Sequence, residues 1–233
     1  EGVLPDHFYE ITEPTTVSAP ASNQGAAFAA GAKPDHHPYF IEASPPLAHR
    51  HVDAAFDDFA WQPLLPLRLS QLGPGVAWFD FDRDGREDLI VGGGRGGSLA
   101  VHRNDPQNGF VPVRDALTDQ KLPADQTAIL GWSEATGLLI GVSNYEAAAA
   151  TNNPAVQQLK YRDGAFTASA VVPWQRESVG PMVMADIDGS GRPVLFVGGR
   201  VIPGRYPEAA SSLLYLFDGA GWIPDAARNR EFE

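Results

Sequence analysis

The chain of 233 residues carries a formal net charge of −12 and no cysteine, with 43% hydrophobic residues, 24 glycines and 20 prolines. The acidic balance argues against nucleic acid as a partner, because phosphate binding needs clustered Lys and Arg. The missing cysteines exclude disulfides, zinc–thiolate sites and thiol catalysis.

Residues 1–48 are expected to form an irregular arm or linker. Residues 8–11 suit one short strand, but residues 12–46 are rich in Ala, Gly, Pro and Ser and hold no sustained period. The chain opens at Glu1 without a visible leader, as when a leader has been removed or left out. From about residue 49 the texture changes, and short apolar runs alternate with Gly, Asp, Asn and Pro. Residues 75–80 (GVAWFD), 88–91 (DLIV), 98–102 (SLAVH) and 110–113 (FVPV) are predicted strands. Long amphipathic helical patterns are absent, and so is any apolar run long enough to span a membrane as a helix. The Ala-rich stretch at 145–156 ends at Asn152-Asn153-Pro154 and is predicted as a loop or one helical turn.

Asp80-Phe81-Asp82-Arg83-Asp84-Gly85-Arg86-Glu87-Asp88 is the most chemically specific stretch. Alternating carboxylates on a tight loop converge, and they repel one another unless a cation joins them. Ca2+ accepts ~6–8 oxygens at flexible angles, which suits such a loop. The candidate ligands are the side chains of Asp80, Asp82 and Asp84, the backbone carbonyl of Arg86 and the closing carboxylate of Asp88. Gly85 permits the sharp turn. The start resembles an EF-hand loop, but the closing acid arrives three positions early and a strand-like run follows. An acidic turn without metal is the plain alternative.

The unit recurs. Residues 180–198 (GPMVMADIDGSGRPVLFVG) align with residues 73–92, placing Asp186 on Asp80, Asp188 on Asp82 and Ser190 on Asp84. The segment around Gly137 fits the same frame without the acids, and Gly85, Gly137 and Gly191 are spaced by 52 and 54 residues. A period of ~53 residues with four short strands per unit is the pattern of β-propeller blades. The expected fold is all-β, a propeller or partial propeller of four-stranded antiparallel blades. Its blades fall at about residues 73–115, 126–170 and 179–225, within a region running from 49 to 233.

The loop and its period resemble the FG-GAP/VCBS repeat of integrin-α-like propellers. Gln62-Pro63-Leu64-Leu65-Pro66, then residues 69–74 (LSQLGP) and 197–207 (VGGRVIPGRYP), are similar to bacterial relatives of cartilage acidic protein, the ASPIC/UnbV-associated group. The resemblance covers about residues 49–225. It implies calcium at the first loop and a ring of more than the three clear blades. The second loop, Asp186, Asp188 and Ser190, is expected to be a weak site or none, because Val194 stands where Asp88 closes the first.

Other candidates have plainer readings. The run Gly92-Gly93-Gly94-Arg95-Gly96-Gly97 lacks the Lys-Ser/Thr and helix of a phosphate loop and is predicted as an inter-strand turn. His49-Arg50-His51 with Asp53, and His36-His37, are weak candidates for a transition metal. Asp57-Asp58, Glu87, Glu134 and Glu177 show no spacing that pairs two of them, and no catalytic constellation is visible. The five tryptophans sit mostly at strand positions and are expected in the core. The expected function is therefore a non-enzymatic, exported, calcium-binding module that meets a protein partner, other chains of a larger assembly, or a glycan. Export is expected because weak calcium loops fill outside cells. The alternatives are a polysaccharide-acting hydrolase or lyase on the same scaffold, or a glycan-binding module.

Overall fold

The computed structural model describes residue 47 and residues 49–133, 137–146 and 153–232. The chain divides into two compact units, Glu1–Ala43 and Ser44–Glu233, and every described residue belongs to the second. The arm predicted over residues 1–48 falls almost entirely outside the described residues, as do His36-His37 and Glu134.

The described chain is all-β apart from a short helix α1 (Asp58–Trp61) and a closing 3-10 turn (Asn229–Glu231). Twelve strands among these residues form three four-stranded antiparallel sheets, each in simple sequence order. Sheet one holds β1 (Val76–Phe79), β2 (Asp88–Val91), β3 (Ala100–Asp105) and β4 (Gly109–Pro112). Sheet two holds β5 (Gln126–Trp132), β6 (Gly137–Val142), β7 (Val156–Arg162) and β8 (Ala165–Val172). Sheet three holds β9 (Ser178–Ala185), β10 (Val194–Val201), β11 (Leu213–Phe217) and β12 (Trp222–Pro224). All three expected four-stranded units thus form, and the turn chemistry explains why. Between β7 and β8, Asp163 and Gly164 both have positive φ (51° and 83°), the two-residue turn whose twist suits a hairpin. Among the described residues, no helix is long and apolar enough to cross a membrane.

The sheets pack face to face, with β1 against β5 and β5 against β9. Sheet two is the middle layer, and β6 shows how its sequence achieves this. Leu138 and Ile140 join a cluster with Phe81, Ile90 and Val101 of the sheet-one side. Leu139, between them, joins Val179, Leu195 and Tyr215 of sheet three. All three side chains are fully buried. Successive strand residues point to opposite faces, so a continuous apolar run serves two cores.

The outer sheets keep one open face each. Val76 and Trp78 on β1 and Val183 on β9 are each more than half exposed, and Ile223 on β12 is nearly so. The expectation that the tryptophans pack in the core holds for Trp132 and Trp222, whereas Trp61, Trp78 and Trp174 are exposed. For Trp78 the reason is that alternation buries only the face that meets another sheet.

Residues 49–57 lie against the glycine run after β2. Ala54 N donates to the Arg95 carbonyl at 2.8 Å. A Cβ on Gly97 would stand 2.4 Å from the Val52 carbonyl oxygen, so backbone approaches backbone there. The run is an inter-strand turn, as expected, and also a seat for this segment. We expect Gly97→Ala to cost about 2 kcal/mol, as overpacking typically does, read as a lowered melting temperature. An unchanged melting temperature would show that the segment moves aside freely.

Candidate functional site

The acidic loop joins β1 to β2, and its carboxylates first organise the backbone. Asp80 accepts from Asp84 N at 3.1 Å and Gly85 N at 2.9 Å, and Asp82 accepts from Asp84 N at 3.2 Å. Gly85 has φ of 87°, the left-handed turn that glycine tolerates. Asp88 opens β2 and is fully buried. Its two oxygens accept from Phe81 N at 3.2 Å and Asn104 N at 2.8 Å. The result is a convergence in which one oxygen each of Asp80, Asp82 and Asp88 lies within 4.8 Å of the others.

Asp84 stands apart from that group of three. One of its oxygens accepts from Arg86 N at 2.9 Å and the other is ion-paired with the Arg86 guanidinium. Arg86 also donates through Nε to the Asn104 carbonyl at 2.7 Å. Asn104 on β3 therefore ties the loop to the next strand but one, a role that sequence spacing gives no sign of.

Electrostatics match the crowding. Burial, followed by the charge of Asp84, pushes Asp82 above the ordinary carboxylate range. Burial also pushes Asp88 up, and its two backbone hydrogen bonds do not fully offset this. Hard oxygen donors converging around a buried acid fit a hard cation such as Ca2+.

The second loop, between β9 and β10, has the same backbone pattern. Asp186 accepts from Ser190 N at 3.2 Å and Gly191 N at 2.7 Å, and Asp188 accepts from Ser190 N at 3.0 Å. Val194 fills the closing position and is buried. Two cations of the protein lie against the loop: Arg192 Nε donates to Ser190 Oγ at 3.4 Å, and Arg228 stands 4.0 Å from Asp188. Asp186, Asp188 and Ser190 are thus brought together without a third acid.

A further group of acids was not legible from spacing. Oxygens of Asp53, Asp125 and Glu146 lie within 4.8 Å of one another. Arg95 binds this group on two sides. Its Nε donates to Glu146 Oε2 at 2.6 Å and its backbone N donates to Asp125 Oδ1 at 2.7 Å. Only 3% of the Glu146 side chain is exposed. Burial raises both Asp53 and Glu146, and the Asp125 charge adds to each.

The histidines fall elsewhere. His49 packs edge-on against His102 at 6.0 Å between ring centroids, and not against a metal cluster. Among the described residues, no group of three potential ligands includes a histidine. Asp57 caps α1 through Ala60 N at 3.0 Å, while Asp58 is fully buried as a hydrogen-bond acceptor. No protein-family model and no curated protein sequence matches the chain.

Proposed function

We propose that this chain is a calcium-stabilised, non-catalytic interaction module built as part of a β-propeller of the FG-GAP/VCBS type. The observation that carries the reading is the convergence of Asp80, Asp82 and Asp88 with Asp88 fully buried. Calcium there would be held by these three carboxylates, with Asp84 released from Arg86 as a fourth candidate. It would neutralise a crowded acidic turn and stiffen the connection between β1 and β2. The propeller reading draws support from three four-stranded sheets packed in series, whose outer faces keep exposed apolar residues for further sheets to cover. Partners on this reading are a protein or the rest of a larger extracellular or periplasmic assembly.

The Asp53, Asp125 and Glu146 group is the natural place to look for the competing hydrolase. Glu146 is ion-paired with Arg95 and its side chain is nearly closed to solvent, which favours a structural role.

The test is calcium-dependent melting on the full chain. A site filled to a hundred times its dissociation constant adds about 2.7 kcal/mol of stability. Asp82 and Asp88 have raised folded pKa values, so the metal-free protein takes up protons before the unfolded chain does. Its stability therefore falls as pH rises through those folded values. Calcium needs the ionised form, so its stabilising shift should grow over the same rise in pH. Asp82→Ala should abolish the shift. A melting temperature indifferent to calcium at neutral pH would remove the metal from the reading.

A further inference from the structure

Although the chain is strongly acidic, one cavity is lined by three cationic side chains and no acid. Arg50, Arg114 and Lys121 line it together with His49 and His102, and no carboxylate is among its lining residues. The nearest paired acid is Asp119, at 3.0 Å from Arg114, with both side chains well exposed. The cavity measures about 120 Å³, against the ~10–15 Å³ that one water needs. Its apolar wall is Leu99 and Val101, both buried.

His102 on β3 is 3% exposed, and neither of its ring nitrogens has a hydrogen-bond partner. Nε2 of His49, which also lines the cavity, is likewise buried and unpaired. Buried polar atoms rarely stay unpaired, and each such case calls for a missing partner. An imidazole always carries at least one N–H, so His102 has a donor to offer. Three cations among the lining residues oppose a metal ion, and no third ligating side chain joins the two rings.

We propose that this cavity binds a compact oxyanion, a phosphate or sulfate group, free or carried on a small ligand. His102 is the buried donor, His49 its neighbour, and Arg50, Arg114 and Lys121 supply the charge. The geometry depends on residues 49–52, which the glycine run holds in place through the Val52 contact with Gly97.

The experiment follows the histidine ring resonances of the full chain by NMR during titration with inorganic phosphate and with sulfate. Ionic strength is held constant with chloride and calcium is absent. Saturable shifts of the His49 and His102 signals are expected with either oxyanion. Arg50→Gln with Lys121→Gln, both at exposed positions, should weaken binding about tenfold while leaving the spectrum dispersed. A sugar phosphate binding more tightly than inorganic phosphate identifies a carried group, and equal affinity identifies the free anion. No saturable shift, equal affinity in the double variant, or a response to zinc alone would overturn the proposal.

Discussion

Replacing Asp58 by alanine should lower stability by about 4 kcal/mol, the largest single effect expected in this chain. The carboxylate is fully buried at the start of α1. It accepts from Leu69 N at 2.8 Å, Ser70 N at 2.9 Å and the Ser70 hydroxyl at 2.5 Å. Burial first, and then this carboxylate, pushes the Tyr145 hydroxyl up. Burial would raise this acid, yet the bonds from Ser70 and Leu69 outweigh burial and hold it below the ordinary range. Alanine leaves several buried donors without an acceptor, and each costs about 1–3 kcal/mol. Asn keeps one acceptor oxygen and should recover roughly half of the loss. Because the folded pKa is depressed, the stabilisation is present above the unfolded pKa and fades as pH falls through the folded one. Urea unfolding of both variants checks this. A loss no greater than that of an exposed acid would show that water replaces the carboxylate.

Arg95→Met should cost about 3 kcal/mol at neutral pH, because it strands a buried charge. Glu146 would then lie beside Asp53 and Asp125 with no cation against it. Burial already raises Glu146 and Asp53, so their folded pKa values exceed the unfolded ones. The native state therefore takes up protons first, and stability from these groups is lost as pH rises through the folded values. Removing Arg95 strengthens that dependence. The variant should thus recover much of its loss as pH is lowered from neutrality through the folded values in urea titrations. Adding Glu146→Gln should restore stability at neutral pH as well. A deficit that ignores both acidification and the second substitution would mean that Arg95 acts through its packing or through its bond to the Ala55 carbonyl.

The sheets were legible because local chemistry and pattern agree. The expected strands at 75–80, 88–91, 98–102 and 110–113 appear as β1 to β4, within a few residues. Asp80, Asp82 and Asp88 were legible as a convergent set because a nine-residue loop brings its own members together. The role of Asp84 was less so, because spacing alone does not weigh the guanidinium of Arg86 against a metal. Groups assembled from distant segments were hidden. Glu146 meets Asp53 only when residues 49–57 and the turn that follows β6 come together, and His49 meets His102 across the segment's contact with β3. Sequence periodicity locates a face of a strand but does not say which other segment will cover it.

The alternation along β6 also bears on how such a chain diverges. Leu138 and Ile140 answer to one neighbouring sheet and Leu139 to the other. A substitution at one of these positions asks for compensation on one side only. The two seams are therefore free to accumulate changes separately, each within its own pair of sheets. A lineage built in this way can exchange or diversify one flanking sheet while the opposite seam keeps its inherited fit.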